Sequence, residues 1–273
     1  MLKADLHCHT NASDNSFSIE EVVKQAKAAG LTHLAITDHD TTAGIQKALL
    51  YGEQYQLQII PGIEISASDP KRDRRAHILG LYIDPHHPAL DDLCKATLLS
   101  RHEASKQMVS IIADMGYNIS WELVSSYAKF GTVVYKQHIM HALMDLGYCD
   151  EINGELQKKL FSRSAKEPGK AFIPLTYPNA EDAIRAIRMA GGVAVLAHPG
   201  QFGNFDAIEE WVSLGLQGVE AYHPTHSSAD TRVALQLAAK FNLVVTGGAD
   251  YHGFYGSGDY PLGSVSVSEL FIR

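Results

Sequence analysis

Short apolar runs in four distant parts of the chain lead into metal-binding residue types. The segments are Asp5-Leu6-His7-Cys8-His9, Thr37-Asp38-His39-Asp40, Gly62-Ile63-Glu64 and Asp250-Tyr251-His252. A β-strand turns alternate side chains to one side, so Asp5, His7 and His9 are expected on one face, with Leu6 and Cys8 on the other. Two imidazoles and a carboxylate meeting at a strand end are costly to bury alone, and a metal ion offsets that cost. Such a chain must bring several strand ends to one place.

The rest of the sequence supplies strands and helices at the pitch this requires. Residues 2–8 read as a strand. Ser18-Ile19-Glu20-Glu21 is a capping box, followed by apolar Ile19, Val22, Val23, Ala26 and Ala29 at helical spacing and by Gly30 as a stop. Residues 34–37 read as a buried strand, 42–54 as a helix and 58–60 as a strand that leads to Glu64. The rhythm returns near residue 175, with helices over 180–190, 205–214 and 228–241. The strands 193–197, 218–222 and 243–246 then deliver His198, His223, and Asp250 with His252. This alternation predicts βαβ units, parallel pairing and an α/β barrel with every candidate ligand at a strand C-terminus. Residues 1–85 and 175–273 form that barrel in this reading. Residues 86–174 read as a helical insertion over its mouth, with helices over 89–115, 121–127, 137–146 and 151–160.

Composition narrows the class. With 273 residues, 45% hydrophobic and 20% charged, the chain suits a globular protein with a sizeable core. No apolar run approaches the roughly 18 residues of a membrane span. The N-terminus lacks the basic and apolar regions of a signal peptide. Cys8, Cys94 and Cys149 suit neither a disulfide framework nor a thiolate zinc site, which fits a cytoplasmic protein. A net charge of −8 argues against broad binding to nucleic-acid backbones, although bound cations would invert the local field for a small phosphorylated substrate.

The ordered segments Ala4-Asp5-Leu6-His7-Cys8-His9-Thr10, Ile36-Thr37-Asp38-His39-Asp40-Thr41, Pro61-Gly62-Ile63-Glu64, Ala197-His198-Pro199 and Gly248-Ala249-Asp250-Tyr251-His252-Gly253 resemble the motifs of the PHP (polymerase and histidinol phosphatase) phosphoesterases. The resemblance runs from Met1 to about Gly263. The insertion after His77-Ile78-Leu79-Gly80 resembles the nucleoside 3′,5′-bisphosphate phosphatases related to 5′→3′ oligoribonucleotide exonucleases. It implies a distorted (β/α)₇ TIM-like barrel holding two or three divalent ions, with manganese favoured and iron or zinc as alternatives. By position, His7, His9, Glu64 and Asp250 would hold a first metal. Glu64, His77 and His198 would hold a second, and Asp14, His39 and His252 a third. Asp5 and Asp38 look like groups that orient ligand imidazoles.

Around these ligands, His223 is a candidate to protonate the leaving group and His226 to touch phosphate. In the insertion, Arg101, Lys136, His138 and Lys170 are candidate substrate contacts. Lys136-Gln137 stands where the resembled family usually has Arg-Pro, so a bidentate guanidinium is replaced by a point charge. The expected reaction is hydrolysis of a phosphate ester by metal-activated water. The expected substrate is a nucleoside 3′,5′-bisphosphate cleaved at its 3′ position. The alternatives are a short 5′-phosphorylated RNA, histidinol phosphate, a metal-dependent amidohydrolase activity, or a non-catalytic binding barrel. Against the last two, Glu64 takes the bridging place where amidohydrolases commonly have lysine, and every motif keeps its ligands. No protein partner is implied.

Overall fold

The computed structural model describes residues 2–164 and 166–270, so the expected outer bounds at Met1 and Arg273 lie outside the described residues. Seven strands form a sheet in chain order: β1 (Ala4–Asp5), β2 (His33–Ile36), β3 (Gln58–Asp69), β4 (Arg74–Leu81), β5 (Val193–Leu196), β6 (Gly218–Tyr222) and β7 (Val244–Gly247). The sheet nearly closes into a barrel. Leu6 N–H donates to the Gly247 carbonyl (3.1 Å), Asp250 N–H to the His7 carbonyl (2.9 Å) and His9 N–H to the Tyr251 carbonyl (3.2 Å). Gly248 sits at this seam, where a Cβ would lie 2.4 Å from His7 N.

The expected parallel succession breaks at one place. β3 and β4 form an antiparallel hairpin, and β4 is antiparallel to β5 as well, while the remaining pairs are parallel. A turn over residues 70–73 joins β3 to β4, and so short a link cannot make a parallel crossover. Two expectations change with it. Glu64 lies inside the twelve-residue β3 rather than at its end, and His77 lies within β4, opposite Ser66. Because β4 runs backwards, its first half reaches the rim that the other strands reach with their C-termini.

Strand alternation also lapses near the N-terminus. β1 ends at Asp5, and Leu6 and Cys8 join different cores. Leu6 packs with Ala35, Ile60, Leu79, Leu81, Val193 and Val195, a cluster with no helical residue that fills the barrel interior. Cys8 packs with Val22, Val23, Leu34 and Ile45. The irregular stretch after β1 turns both His7 and His9 to the rim.

Helices α1 (Ile19–Ala28) and α2 (Ile45–Tyr55) pack with residues of β2 and β3. In α1, Ser18 Oγ accepts from Glu21 N–H and Glu21 Oε2 accepts from Ser18 N–H (2.8 Å), while Gly30 closes the helix at φ 76°. Between β4 and β5, where the helical insertion was expected, lie α3 (Pro88–Asp114), α4 (Trp121–Tyr127), α5 (Lys136–Asp145) and α6 (Glu155–Phe161). α3 spans two cores. Leu90 and Cys94 pack on the barrel with Ile184 and Ile187, while Met108 and Ile112 pack in the insertion with Val124, Ile139 and Leu143. The second barrel half adds α7 (Ala180–Met189), the short α8 (Pro199–Phe202), α9 (Ile208–Ser213) and α10 (Ser228–Phe241). The helix expected over 205–214 begins as a 3₁₀ turn at Asn204–Ala207 before α9. No helix among the described residues is long and apolar enough to cross a membrane.

Candidate metal centre

The loops after β1, β2, β5, β6 and β7, together with β3 and β4, send their imidazoles and carboxylates to one end of the barrel. His7, His9, Glu64 and Asp250 form one group of donors; His9, Asp14, His39 and His252 form a second; His39, Glu64 and His77 form a third. His198 joins the third group, with Nε2 3.0 Å from Glu64 Oε1. His7, Glu220 and His223 form a fourth group, and the residues of the three expected sets are all brought together here, with His9 and His39 each belonging to two groups. Within the first group, His7 Nε2 and His9 Nε2 lie 3.3 and 3.2 Å from Glu64 Oε2, and 3.3 and 3.1 Å from Asp250 Oδ1. Donors about 2.1 Å from a shared ion stand about 3.0–3.4 Å apart in octahedral or tetrahedral arrangements, so the spacing fits a first-row divalent metal.

The unpaired atoms point the same way. His7 Nε2, both ring nitrogens of His9, Asp14 Oδ1, His198 Nδ1 and Asp250 Oδ1 are buried without a hydrogen-bond partner. Buried polar atoms are normally satisfied, so unpaired donors and acceptors of this kind suit residues that hold cations. His198 and Asp250 hold positive φ (24° and 50°), conformations that non-glycine residues rarely adopt and that cluster at functional sites.

Charge is arranged to suit metal ions. Burial would raise the carboxyls of Glu64 and Asp250, but the surrounding imidazoles hold both well below the usual range. Burial pushes His39 down to about 3, keeping it neutral and free to ligate. Burial would depress His7 and His9 as well, yet neighbouring carboxylates raise both, His9 to about 10. Without metals those two rings would take protons, and metal binding replaces the protons with cations.

The orienting role expected of Asp5 and Asp38 belongs elsewhere. Asp5 accepts from the backbone N–H groups of His7, Ala249 and Gly263 (3.3, 3.0 and 3.0 Å). Asp38 accepts from Thr10 N–H, Thr10 Oγ1 and Ser13 Oγ (2.7, 2.7 and 2.6 Å), shaping the loop that carries Asp14. Both carboxylates therefore hold backbone and loop rather than imidazole. The group that does orient a ligand ring is Glu220, fully buried in β6. It accepts from His7 Nδ1 (3.1 Å) and from His198 N–H (2.8 Å). Its signal in the sequence is a lone carboxylate in the otherwise apolar strand Gly218-Val219-Glu220-Ala221-Tyr222.

His223 lines the site. Thr225 N–H donates to its Nδ1 (3.2 Å), which puts the ring proton on Nε2, 3.4 Å from Asp250 Oδ2. His226 has both nitrogens engaged: Nδ1 donates to the Ala221 carbonyl (3.0 Å) and Nε2 accepts from Gly200 N–H (3.1 Å). It ties two loops together and has no nitrogen left for phosphate. His138 is buried, its Nδ1 accepting from Tyr135 N–H (2.9 Å) at the start of α5. Lys170 lies on a separate surface depression beside Tyr117, Tyr148 and Lys159. Arg101 and Lys136 do converge with the centre, in the wall of a cavity of about 460 Å³ that also includes Asp14, His39 and His77. Arg101 pairs with Asp40 (3.0 Å). Burial and then the Arg101 charge push the Lys136 amine down to about 8. A second cavity of about 260 Å³ lies on the other side, walled by His223, Thr225, Gln201, Ser257 and Tyr260.

A barrel whose rim gathers imidazoles and carboxylates into overlapping donor groups is the architecture of a metal-dependent hydrolase. The PHP domain model matches residues 5–191, and the chain belongs to that family. It is 41% identical over 252 residues to a protein of Eggerthella lenta named phosphoribosyl 1,2-cyclic phosphate 1,2-diphosphodiesterase, with 92% of this chain and 95% of the relative covered. It is 30% identical over 258 residues to a 3′,5′-nucleoside bisphosphate phosphatase of Chromobacterium violaceum, covering 92% and 88%. A solved chain of Bifidobacterium adolescentis, described as a metal-dependent phosphoesterase, superposes with a TM-score of 0.85 at 30% identity over 95% of this chain and 92% of that one. The protein is a metal-dependent phosphoesterase with a His/Glu/Asp cluster able to hold metals.

Proposed function

We propose that the substrate is a 5-phosphorylated ribose whose ring carries the scissile phosphate ester, and specifically the 1,2-cyclic phosphodiester. The observation that carries this reading is the basic cavity opening directly onto the donor cluster, so that one phosphate meets the metals while another meets Arg101 and Lys136. Two further observations favour a sugar phosphate over a nucleotide. The 41% identity to the Eggerthella lenta protein extends over 92% of the chain. The Tyr135 and Phe161 rings in the cavity wall are already faced by cations, Arg101 at 4.5 Å and Lys136 at 5.2 Å, which leaves a positive field where a base would stack.

Divalent ions, once bound, would lower the pKa of water and neutralise charge on the phosphoryl oxygens. The chain's own groups do the rest. His7, His9, Glu64 and Asp250 would hold one ion, and Glu64 reaches the neighbouring donors His39, His77 and His198, with Asp14 and His252 beside them, which would hold others. We favour manganese for this mixed imidazole and carboxylate set. Lys136 and Arg101 hold the remote phosphate, and His223, whose Nε2–H can hydrogen-bond the leaving oxygen, orients it while water supplies its proton. The same two-point arrangement suits a nucleoside 3′,5′-bisphosphate cleaved at the 3′ position, a second reading supported by the 30% relative.

The test is a panel of ribose 5-phosphate 1,2-cyclic phosphate, adenosine 3′,5′-bisphosphate, a short 5′-phosphorylated RNA and histidinol phosphate, assayed with Mn²⁺. The cyclic ester should lead in kcat/KM by about tenfold or more, the discrimination expected when a base or longer chain does not fit the cavity beside the two phosphates. A lead for the bisphosphate would move the assignment to the second reading, and a lead for RNA or histidinol phosphate would refute both.

A further inference from the structure

We propose that Arg75 binds the phosphoryl group undergoing hydrolysis, and is a catalytic residue of this enzyme in its own right. The inference rests on the reading above only in taking a phosphate ester as the reactant. Arg75 lies in β4 two residues before His77, on the same side of the strand, and lines the cavity that contains Arg101 and Lys136. Its guanidinium lies over two rings, 4.9 Å from the centroid of Tyr177 and 5.2 Å from that of Phe202. Stacking of this kind fixes the plane of an arginine while leaving its edge free to bind.

That edge lacks an anion. Arg72, Arg74, Arg101 and Arg185 each pair with a carboxylate. Arg75 makes no such pair among the described residues. Its Nε is buried without a partner, and its Nη2 contacts only the imidazole of His77, 2.9 Å from Nε2. A half-buried guanidinium with unmet donors and no counter-charge is costly unless something else brings the charge.

The His77 contact is itself provisional. The nitrogen of His77 that faces the donor cluster is Nδ1, 2.7 Å from Glu64 Oε1. An imidazole that gives one nitrogen to a metal carries its proton on the other, so Nε2 becomes a donor and no longer accepts from Arg75. With the ions in place, the guanidinium has to turn its N–H groups away from His77. The two rings beside it leave the cavity that it lines as the direction in which a phosphoryl oxygen would be met. Neither Lys136 nor Arg101 is in contact with a residue of the donor groups on that side, so Arg75 is the cation best placed for the reacting phosphorus.

Arg75→Met, which keeps bulk beside the rings, and Arg75→Lys, which keeps charge, test this on the Mn²⁺-loaded protein. Orthophosphate binding, read by calorimetry, should weaken about 10–100-fold in R75M, as expected for loss of a charge-assisted bond, with partial recovery in R75K. Metal stoichiometry and thermal midpoint report whether R75M is folded and loaded; should it fail either check, R75K against Arg75→Gln supplies the comparison. Because orthophosphate is common to every phosphoester reaction, the readout survives an error in the assigned sugar. Phosphate affinity within about twofold of the unsubstituted protein in folded, loaded R75M or Arg75→Gln would overturn the proposal.

Discussion

Replacing Glu220 with glutamine should weaken metal binding without unfolding the barrel. Glu220 is fully buried and serves two donors, His7 Nδ1–H and the His198 backbone N–H. Glutamine keeps the volume but offers one oxygen and one NH₂, so one of those donors must face another donor. If the NH₂ faces His7, it favours the tautomer that carries its proton on Nε2, the nitrogen meant for the metal. A buried charge-assisted hydrogen bond is worth about 1.5–3 kcal/mol, which corresponds to about 10–100-fold in affinity. Outer groups that orient ligand histidines have the same range of effect. The assay is calorimetric titration of chelated protein with Mn²⁺, beside the metal dependence of turnover. E220Q should need about 10–100-fold more Mn²⁺ for half-saturation and recover most of its kcat at saturation. Affinity within about threefold of the parent, with an unchanged melting curve, would refute the assignment of Glu220 as the group that sets the His7 tautomer.

Other outcomes follow from the same geometry. Chelation should abolish turnover and Mn²⁺ restore it, and a chelated preparation at full rate would remove metals from the reaction. Glu64→Gln should lose about 10³-fold or more in kcat, since one carboxylate reaches His7, His9, His39, His77 and His198; a loss under about tenfold would contradict its bridging place. Lys136 carries its charge below about pH 8 and loses it above. KM should therefore be flat at lower pH and climb beyond that point, whereas Lys136→Met should show a high KM with no such step. Gly248→Ala would set a Cβ 2.4 Å from His7 N, and because backbone is the obstacle it should cost about 1–3 kcal/mol in denaturant unfolding. An unchanged midpoint would mean that the seam yields freely.

The parts that were legible in the sequence are those with a local signature. Helix α10 matches its expected bounds because a capping box at Ser227 and an αL residue at Asn242 mark both ends. His7, His9, His39, His198 and Asp250 were legible because each sits just past an apolar run, whereas Glu64 and His77 lie within their strands. β4 escaped as an antiparallel partner since Arg74–Leu81 has the same apolar content as a parallel strand, and direction depends on the length of the preceding turn. Glu220 escaped because one carboxylate in a strand has no periodicity to betray it. His226 and Lys170 show the converse problem: residue type marks a histidine or lysine as able to bind, but only tertiary contacts reveal that backbone groups occupy both nitrogens of the imidazole and that the lysine faces another surface.

The long helix shared between barrel and insertion has a consequence for the cavity wall. Twenty-seven residues make a rod about 40 Å long, anchored at one end beneath the sheet and at the other inside the overlying helices. A hinge needs a pliable joint, and α3 puts rigid, continuously hydrogen-bonded backbone where that joint would be. Arg101, which α3 carries between its two anchors, is accordingly held at a set distance from the donor cluster.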